Sequence, residues 1–429
     1  MIKRSFFSLA RPKLTYPLLN PDQHEGVEIP LPAKAHVFLN RASAGSNGLP
    51  IRQGDKVKTG QRIALGEDEG EYFIAPVTGV VVGISSVKGY LGRDLTSITF
   101  EVAKDDVWDE AYKASSEMPP MERIGQFLGS LPGQPDLSSV LGFHPPLKAV
   151  VICGIDKDLL VSTNPWVVRT RLEDLIKGIG VVKHVCKGCR LVLLVPPGLG
   201  LQAERSGVEV RTLTPTYPDL LPKVFMHRFF GEDVPAGGRC EDLGVGFLSA
   251  EAVANLGTAF AEDRVPVHKM LTVIRQDGSV VNVRARIGTP VQEILNTLKI
   301  ETRSGDRLVL GGPMTGLSVY SEETPVLADT DALMIQDAGQ AARFSDTHCV
   351  NCGECVRVCP AKMPVNMLIR VLENRMYEEA VQTYDLLSCV ECGLCSFVCI
   401  ARIPIFHYVM LGKYEYDRIQ KAEASNDER

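Results

Sequence analysis

Apolar and polar residues alternate in short runs at the start of the chain, and the rhythm changes three times before the end. "IRQGDKVKTGQRIALGEDEGEYFIAPVTGVVVGI", from Ile51, pairs hydrophobic residues between Gly-Asp and Thr-Gly turns and closes on a valine-rich run, which predicts small β-strands. From about Met121 strand and helix patterns alternate. "LKAVVICGI", "CRLVLLVPP" and "GVEVRTLTP" read as buried strands, whereas "NPWVVRTRLEDLIKGIGVV" and "YPDLLPKVFMHRFFG" place apolar residues at helical spacing. Strands separated by helices predict a parallel α/β sheet. From about Val265, "VHKMLTVIRQDGSVVNVRARIGTPVQEILNTL" predicts a hairpin with a Gln-Asp-Gly-Ser turn and a helix starting near Thr289-Pro290. "RLVLGGPMTGLSV" and "ALMIQD" supply further strands, and "DAGQAARFSDTH" is a polar linker. Beyond it, "MPVNMLIRVLENRMYEEAVQTYDLLS" puts Leu368, Leu372, Met376 and Ala380 on one helical stripe. The charged end after Gly412, "KYEYDRIQKAEASNDER", reads as a solvated or frayed helix.

These changes divide the chain into 1–115, 116–262, 263–338, 339–412 and a charged tail, 413–429. The first unit resembles the barrel-sandwich fold of lipoyl and biotinyl domains, with "GDKVKTGQ" opening it and "APVTGVV" closing it. A carrier domain of that type needs a modifiable lysine on the intervening hairpin. "GEDEGEYF" has none, so the unit is expected to be a β-scaffold. The order of two strands, a helix and further strands in 263–338 suggests a β-grasp-like module.

Composition narrows the function. With 429 residues, 45% hydrophobic and 23% charged, the chain is long enough for several globular domains. A net charge of −6 leaves no basic footprint for nucleic acid. "MIKRSFFSLARPKL" is basic but lacks an apolar core and a cleavage-site pattern, so no secretion signal is expected. Apolar runs such as "RLVLLVPPGLGL" are broken by prolines and fall short of the ~20 residues of a membrane span.

Cysteine placement carries the chemistry. Of twelve cysteines, eight fall in "CVNCGECVRVCP" and "CVECGLCSFVCI", each with the spacing C-x₂-C-x₂-C-x₃-C. That is the ligand pattern of bacterial two-cluster ferredoxins, in which three cysteines wrap one cubane and the fourth reaches the other. Cluster one is therefore assigned to Cys349, Cys352, Cys355 and Cys399, and cluster two to Cys389, Cys392, Cys395 and Cys359. Zinc sites use separated CxxC pairs and give the third cysteine of such a run no role. Disulfides are disfavoured in a reducing compartment. The expected unit is a helical dicluster ferredoxin domain that carries single electrons. Ile400 stands where the first run has Pro360, which restores an amide and is expected to tune cluster one's potential without changing its role.

The other candidates are bland. Cys186 and Cys189 form a CxxC directly before a strand, Cys153 reads as a buried small hydrophobe, and Cys240 stands alone; all four are expected to be ordinary reduced thiols. His24 and His144 are isolated.

In this order, "GDKVKTGQRIA", "APVTGVV", "GEDVPAGG", "GGPM" and "CVECGLCSFVCIARIP" resemble the RnfC family, one component of the Rnf complex, a membrane-bound, ion-translocating NADH:ferredoxin oxidoreductase. The resemblance implies a Rossmann-like parallel α/β domain in 116–262 and a soluble-ligand-binding (SLBB-like) β-grasp module in 263–338. The whole would be a multidomain α/β and α+β protein. It also implies FMN and NADH on the α/β domain, through a G-x-G-G-x-G-F-P loop. Here the matching stretch is "GSLPGQPD": Gly129 matches a motif glycine, Gly133 is out of register, and Leu131 and Pro132 fill glycine positions. The family's acidic segment becomes "CGIDKDL", keeping Asp156 and Asp158. Its T-K-Y-P-Q-G-G segment becomes "PTYPDLL", with Thr216, Leu220 and Leu221 in place of the lysine and both glycines. Phosphate cradling needs free backbone N–H groups, so FMN and independent NADH dehydrogenase activity are not expected. The implied role is an electron-transfer subunit with two [4Fe–4S] clusters, cytoplasmic and held at the cell membrane by partner subunits. It would exchange electrons with a ferredoxin, a cytochrome or an oxidoreductase. Alternatives are an FMN-containing NADH-oxidising subunit, a corrinoid-reductase-like protein, and an assembly scaffold with structural clusters.

Overall fold

In the computed structural model the described residues are 14–16, 26–39, 49–66, 71–341, 343–345 and 347–427. His24, the hairpin tip at 67–70 and nearly all of the basic N-terminal stretch lie outside them. The protein is a mixed α/β chain with several sheets and a helical C-terminal region.

The first unit is a four-stranded antiparallel sheet in the order Lys34–Leu39, Asp94–Val102, Gly79–Lys88, Lys56–Val57, with a separate pair, Arg62–Ala64 and Tyr72–Ile74. Alternation puts Ala35, Val81, Ile98 and Phe100 inside, where they share one core with Val57 and Phe73.

The next unit is a four-stranded, wholly parallel sheet in the order Glu209–Thr212, Arg190–Val195, Ala149–Cys153, Val245–Ser249. The two central strands are covered on both faces, which is why they read as unbroken apolar runs. The apolar stretch from Asn164 forms two helices, Thr163–Thr170 and Leu172–Val185, which meet at Arg171. The second packs on Ala250–Glu262 so closely that a Cβ on Gly178 would lie 1.7 Å from the Val253 carbonyl oxygen.

The third sheet has six strands, ordered Val27–Glu28, Val280–Arg286, His268–Ile274, Ala332–Gln336, Arg307–Leu310, Leu317–Val319, and carries the helix Val291–Leu298. Val27–Glu28, which precedes the first unit in sequence, pairs in parallel with Val283 and Arg284 of this sheet.

The C-terminal region holds short helices Glu354–Val358 and Leu394–Val398, helices Val365–Glu373 and Tyr377–Gln382, and a long helix, Ile405–Asp427. The expected single stripe is divided here. Arg375 adopts φ +59°, the helix breaks, and Met376 is 46% exposed while Leu368, Leu372 and Ala380 are buried. The last helix runs unbroken through Gly412, where a Cβ would lie 2.5 Å from Leu372 Cδ2. Among the described residues no helix is long and apolar enough to cross a membrane.

Candidate metal centres

The two cysteine runs fold alike. Asn351 and Glu391 sit at φ +54° and +58°, Gly353 and Gly393 at +74° and +69°, and Lys362 and Arg402 both at +55°. Left-handed backbone at these points coils each loop tightly, and each loop then feeds one short helix. The fourth cysteine of each run caps that helix in extended conformation, with ψ 119° at Cys359 and 112° at Cys399, so the chain leaves its own loop there.

The result is two neighbouring hollows. Cys349, Cys352, Cys355 and Cys399 line one, together with Ile369, Ile400, Ile403 and Ile405. Cys389, Cys392, Cys395 and Cys359 line the other, with Met363, Val365, Leu368, Phe406 and Val409. Each hollow therefore combines three thiols from one run with the last thiol of the other. All twelve cysteines are free of disulfides. No three His, Cys, Asp or Glu side chains among the described residues converge on a single metal ion. Four thiols around an apolar hollow fit a multi-iron group, whose corners stand farther apart than the ligands of one zinc. Burial raises the Cys355 thiol to about 11 and the Cys392 thiol to about 12. Iron binding must therefore displace protons from them.

The hollows face different surroundings. At the first, Cys352 is exposed, and Val350 and Ile400 are 61% and 53% exposed. The Ile403 amide lies 3.4 Å from Cys399 Sγ there, and the Val356 amide acts on the Cys355 thiol. The second hollow is covered. Lys413 Nζ donates to the Cys389 carbonyl at 2.8 Å and pairs with Glu391 at 2.7 Å. A Cβ on Gly393 would lie 2.5 Å from the Met314 carbonyl oxygen, so only glycine lets the third unit come this close. From the α/β unit, Tyr217 donates to the Cys392 carbonyl at 2.7 Å, and Tyr217, Leu221 and Val224 share a core with Val358, Cys392, Leu394 and Val398.

Two of the segments compared above with a flavin site, "CGIDKDL" and "PTYPDLL", meet beside this second hollow, at the carboxyl ends of the parallel strands, where ligands of open α/β sheets commonly bind. There the protein fills its own crevice. Tyr16 Oη donates to the Lys157 carbonyl at 2.9 Å, Thr15 bridges Thr216, and Tyr217 N donates to the Leu14 carbonyl at 2.7 Å. Burial, then the charge of Asp158, raises the Tyr16 phenol far above its usual value. Asp158 accepts from the Met314 and Thr315 amides at 3.2 and 2.8 Å and from the Thr315 hydroxyl at 2.7 Å. A Cβ on Gly312, in the "GGPM" stretch, would lie 2.4 Å from Asp158 Cγ. In "GSLPGQPD" the amides already have partners: Gly129 N donates to Tyr72 Oη at 2.9 Å and Gly133 N to the Ala328 carbonyl at 2.7 Å. Leu131 is wholly buried.

Sequence reasoning missed a buried ionic group nearby. Lys269 is fully buried and pairs with Glu251 and, at 3.1 Å, with Asp331. Glu251 also accepts from Met270 N at 2.6 Å. Asp156, held by the Asn164 amide and side chain, is raised to about 7 by burial and then by Asp331. A lone charged residue inside a strand pattern is the one sequence signal, and it names no partner. Cys153 is buried enough to raise its thiol to about 12. Cys240 packs in the core under Phe225. His144 has no ligand-like neighbours among the described residues.

Comparison with known proteins agrees with the sequence resemblance. The family described as "4Fe-4S dicluster domain" matches residues 341–401. The C subunit of the ion-translocating oxidoreductase complex of Klebsiella pneumoniae is 25% identical over 380 residues, covering 82% of this chain and 50% of that protein. Its counterpart from Cronobacter sakazakii is 26% identical over 364 residues, covering 78% and 46%. The chain is homologous to these subunits and spans about half their length. An NAD+-reducing [NiFe]-hydrogenase structure aligns at 12% identity with a TM-score of 0.45, over 71% of this chain and 62% of that one; a likeness this loose carries no argument.

Proposed function

We propose that the protein is the electron-transfer subunit of a membrane-associated, Rnf-like ion-translocating oxidoreductase, with two [4Fe–4S] clusters relaying electrons between a soluble partner and membrane subunits. The observation that carries this reading is the sorting of eight thiols into two adjacent hollows, each built from both cysteine runs. Cys349, Cys352, Cys355 and Cys399 would hold one cluster, and Cys389, Cys392, Cys395 and Cys359 the other. When bound, each cluster supplies one-electron redox chemistry at a potential set by hydrogen bonds, charge and exposure.

The protein's own groups give the two sites different tasks. Exposed Cys352, Val350 and Ile400 offer the first site to a one-electron protein partner, since an apolar rim lets such a partner approach closely. Lys413, Tyr217 and Met314 pack on the cysteine loop of the second site and hold it against the rest of the protein.

The α/β unit is read as a Rossmann-like domain that does not oxidise NADH. Support comes from the crevice. Leu14 and Tyr16 fill it, Asp158 is committed to Met314 and Thr315, and the amides of Gly129 and Gly133 are already bonded. A phosphate needs free N–H groups there. The strands between Lys34 and Val102 and the six-stranded sheet are read as the barrel-sandwich and SLBB-like modules that dock the complex.

The test is anaerobic reconstitution. Iron and acid-labile sulfide for two cubanes, two reducible EPR signals, no flavin released by acid, and recovery with membrane ion-pump subunits are expected. Acid-released flavin with NADH bleaching would overturn the missing-flavin reading, and absence of any reducible cubane signal would favour a scaffold.

A further inference from the structure

Cys186 and Cys189 close the helix Leu172–Val185 in a turn, with Cys189 N donating to the Cys186 carbonyl at 3.1 Å. A hydrogen-bonded turn holds its first and fourth Cα atoms within about 7 Å, and disulfides bridge Cα atoms about 4.4–6.8 Å apart. Gly188, at φ +82°, makes the turn and has nothing within 4 Å of where a Cβ would stand, so the space above it is open. Both cysteines are partly exposed, and each leans on the α/β core from its rim. Each thiol acts on the other, which holds the Cys189 thiol below its ordinary value and pushes that of Cys186 up. Lys187 is exposed on the same turn and Lys183 just before it, so two ammonium groups border the pair; Arg190 is paired with Glu209.

We propose that Cys186 and Cys189 form a thiol–disulfide exchange site that reacts with a disulfide substrate, either a small molecule or a protein. Cys189 thiolate attacks one sulfur of R–S–S–R, forming a Cys189–S–S–R bond and releasing RS⁻, which takes up a proton. Cys186 then loses its proton and attacks the Cys189 sulfur, closing the intramolecular disulfide and releasing the second RSH. The cysteine pair is oxidised by two electrons and the substrate is reduced to two thiols. The third-neighbour turn, the partial exposure of both thiols and the open face above Gly188 together distinguish this pair from Cys153 and Cys240, which have no thiol partner among the described residues.

The site is separate from the candidate metal centres. Cys189 enters the strand Arg190–Val195 at its amino end, while the segments touching Cys392 leave the sheet at its carboxyl ends, roughly 16 Å of strand away at about 3.3 Å per residue. The reaction therefore does not depend on the electron-relay reading.

The experiment uses the full-length protein with its clusters, anaerobically, treated with glutathione disulfide, then alkylated and mapped by peptide mass spectrometry. The peptide carrying both residues is expected to lose two hydrogens, to resist alkylation, and to recover with dithiothreitol, while the cluster absorbance is unchanged. Cys186→Ser is expected to trap a glutathione adduct on Cys189, and Cys189→Ser to trap far less on Cys186. Full alkylation of both thiols after treatment, with the clusters intact, overturns the proposal. So does a Cys186→Ser protein that forms no adduct.

Discussion

The Tyr217 phenol donates a 2.7 Å hydrogen bond to the main-chain carbonyl of Cys392, across 175 residues of sequence. It ties the α/β unit to the loop of the enclosed hollow and leaves that carbonyl no other described partner. Tyr217→Phe keeps the ring packed on Leu221 and Val224 and removes only the bond. A buried acceptor left unsatisfied costs about 1–3 kcal/mol. Anaerobic denaturant unfolding is expected to show a loss of that size. The EPR signal assigned to the enclosed site should shift while that of the exposed site stays. A variant with unchanged stability and both signals unmoved would show that the contact carries nothing.

The crossed arrangement of thiols makes an unusual forecast for two single replacements. Cys359 belongs to the first cysteine run but lines the hollow of the second. Cys359→Ser is expected to halve the iron content and abolish the signal of the enclosed site, whereas Cys399→Ser, in the second run, abolishes that of the exposed one. Matching each variant with Cys392→Ser and Cys352→Ser by EPR checks this. If Cys359→Ser instead resembles Cys352→Ser, the thiols are not exchanged.

Asp156 gives a pH dependence with a definite sign. Its folded value of about 7 lies above the ~3.9 of an unfolded aspartate, so the folded chain keeps its proton longer. Between about pH 4 and 7 the folded state binds more protons, and this residue's contribution to stability falls as pH rises. Asp156→Asn removes that fall but also loses an acceptor for Asn164. Relative to the parent, the variant is therefore expected to gain stability across that window, on the order of 1–4 kcal/mol. Unfolding curves at several pH values read the difference, and parallel curves would contradict it.

Gly312 and Asp158 are coupled by space. Gly312→Ala puts a Cβ 2.4 Å from Asp158 Cγ, and overpacking of this kind costs about 1–3 kcal/mol. Asp158→Ala makes the room but strips Met314 and Thr315 of their acceptor. The double variant should lose less than the sum of the two single losses, a coupling read by a thermodynamic cycle. Strict additivity would rule the contact out.

The buried lysine offers the largest single effect. Lys269→Ala strands Glu251 and Asp331 and should cost about 3–5 kcal/mol. Lys269→Met with Glu251→Gln should recover part of that loss, as thermal unfolding of the two variants would report.

By itself the sequence determined what local chemistry decides. The C-x₂-C-x₂-C-x₃-C spacing coils a loop around a cluster whatever surrounds it, and unbroken valine and leucine runs must be buried on both faces, so the cysteine runs and the parallel strands were legible. Leu131, Pro132 and the leucines of "PTYPDLL" likewise announced a crevice without glycines. Tertiary structure decided everything that depends on chain segments meeting from afar. Val27–Glu28 joins the six-stranded sheet because an open strand edge accepts any suitable backbone, a preference no periodicity records. Met376 leaves the helical stripe because Arg375 turns left-handed once the flanking helices pack. Lys269 reads as one polar residue in a strand, and its charge is tolerable only because Glu251 and Asp331 arrive from other elements. Burial and pairing are properties of the assembled chain, and they set which hollow has an exposed cysteine, Cys352, and which is tied to the α/β unit through Tyr217.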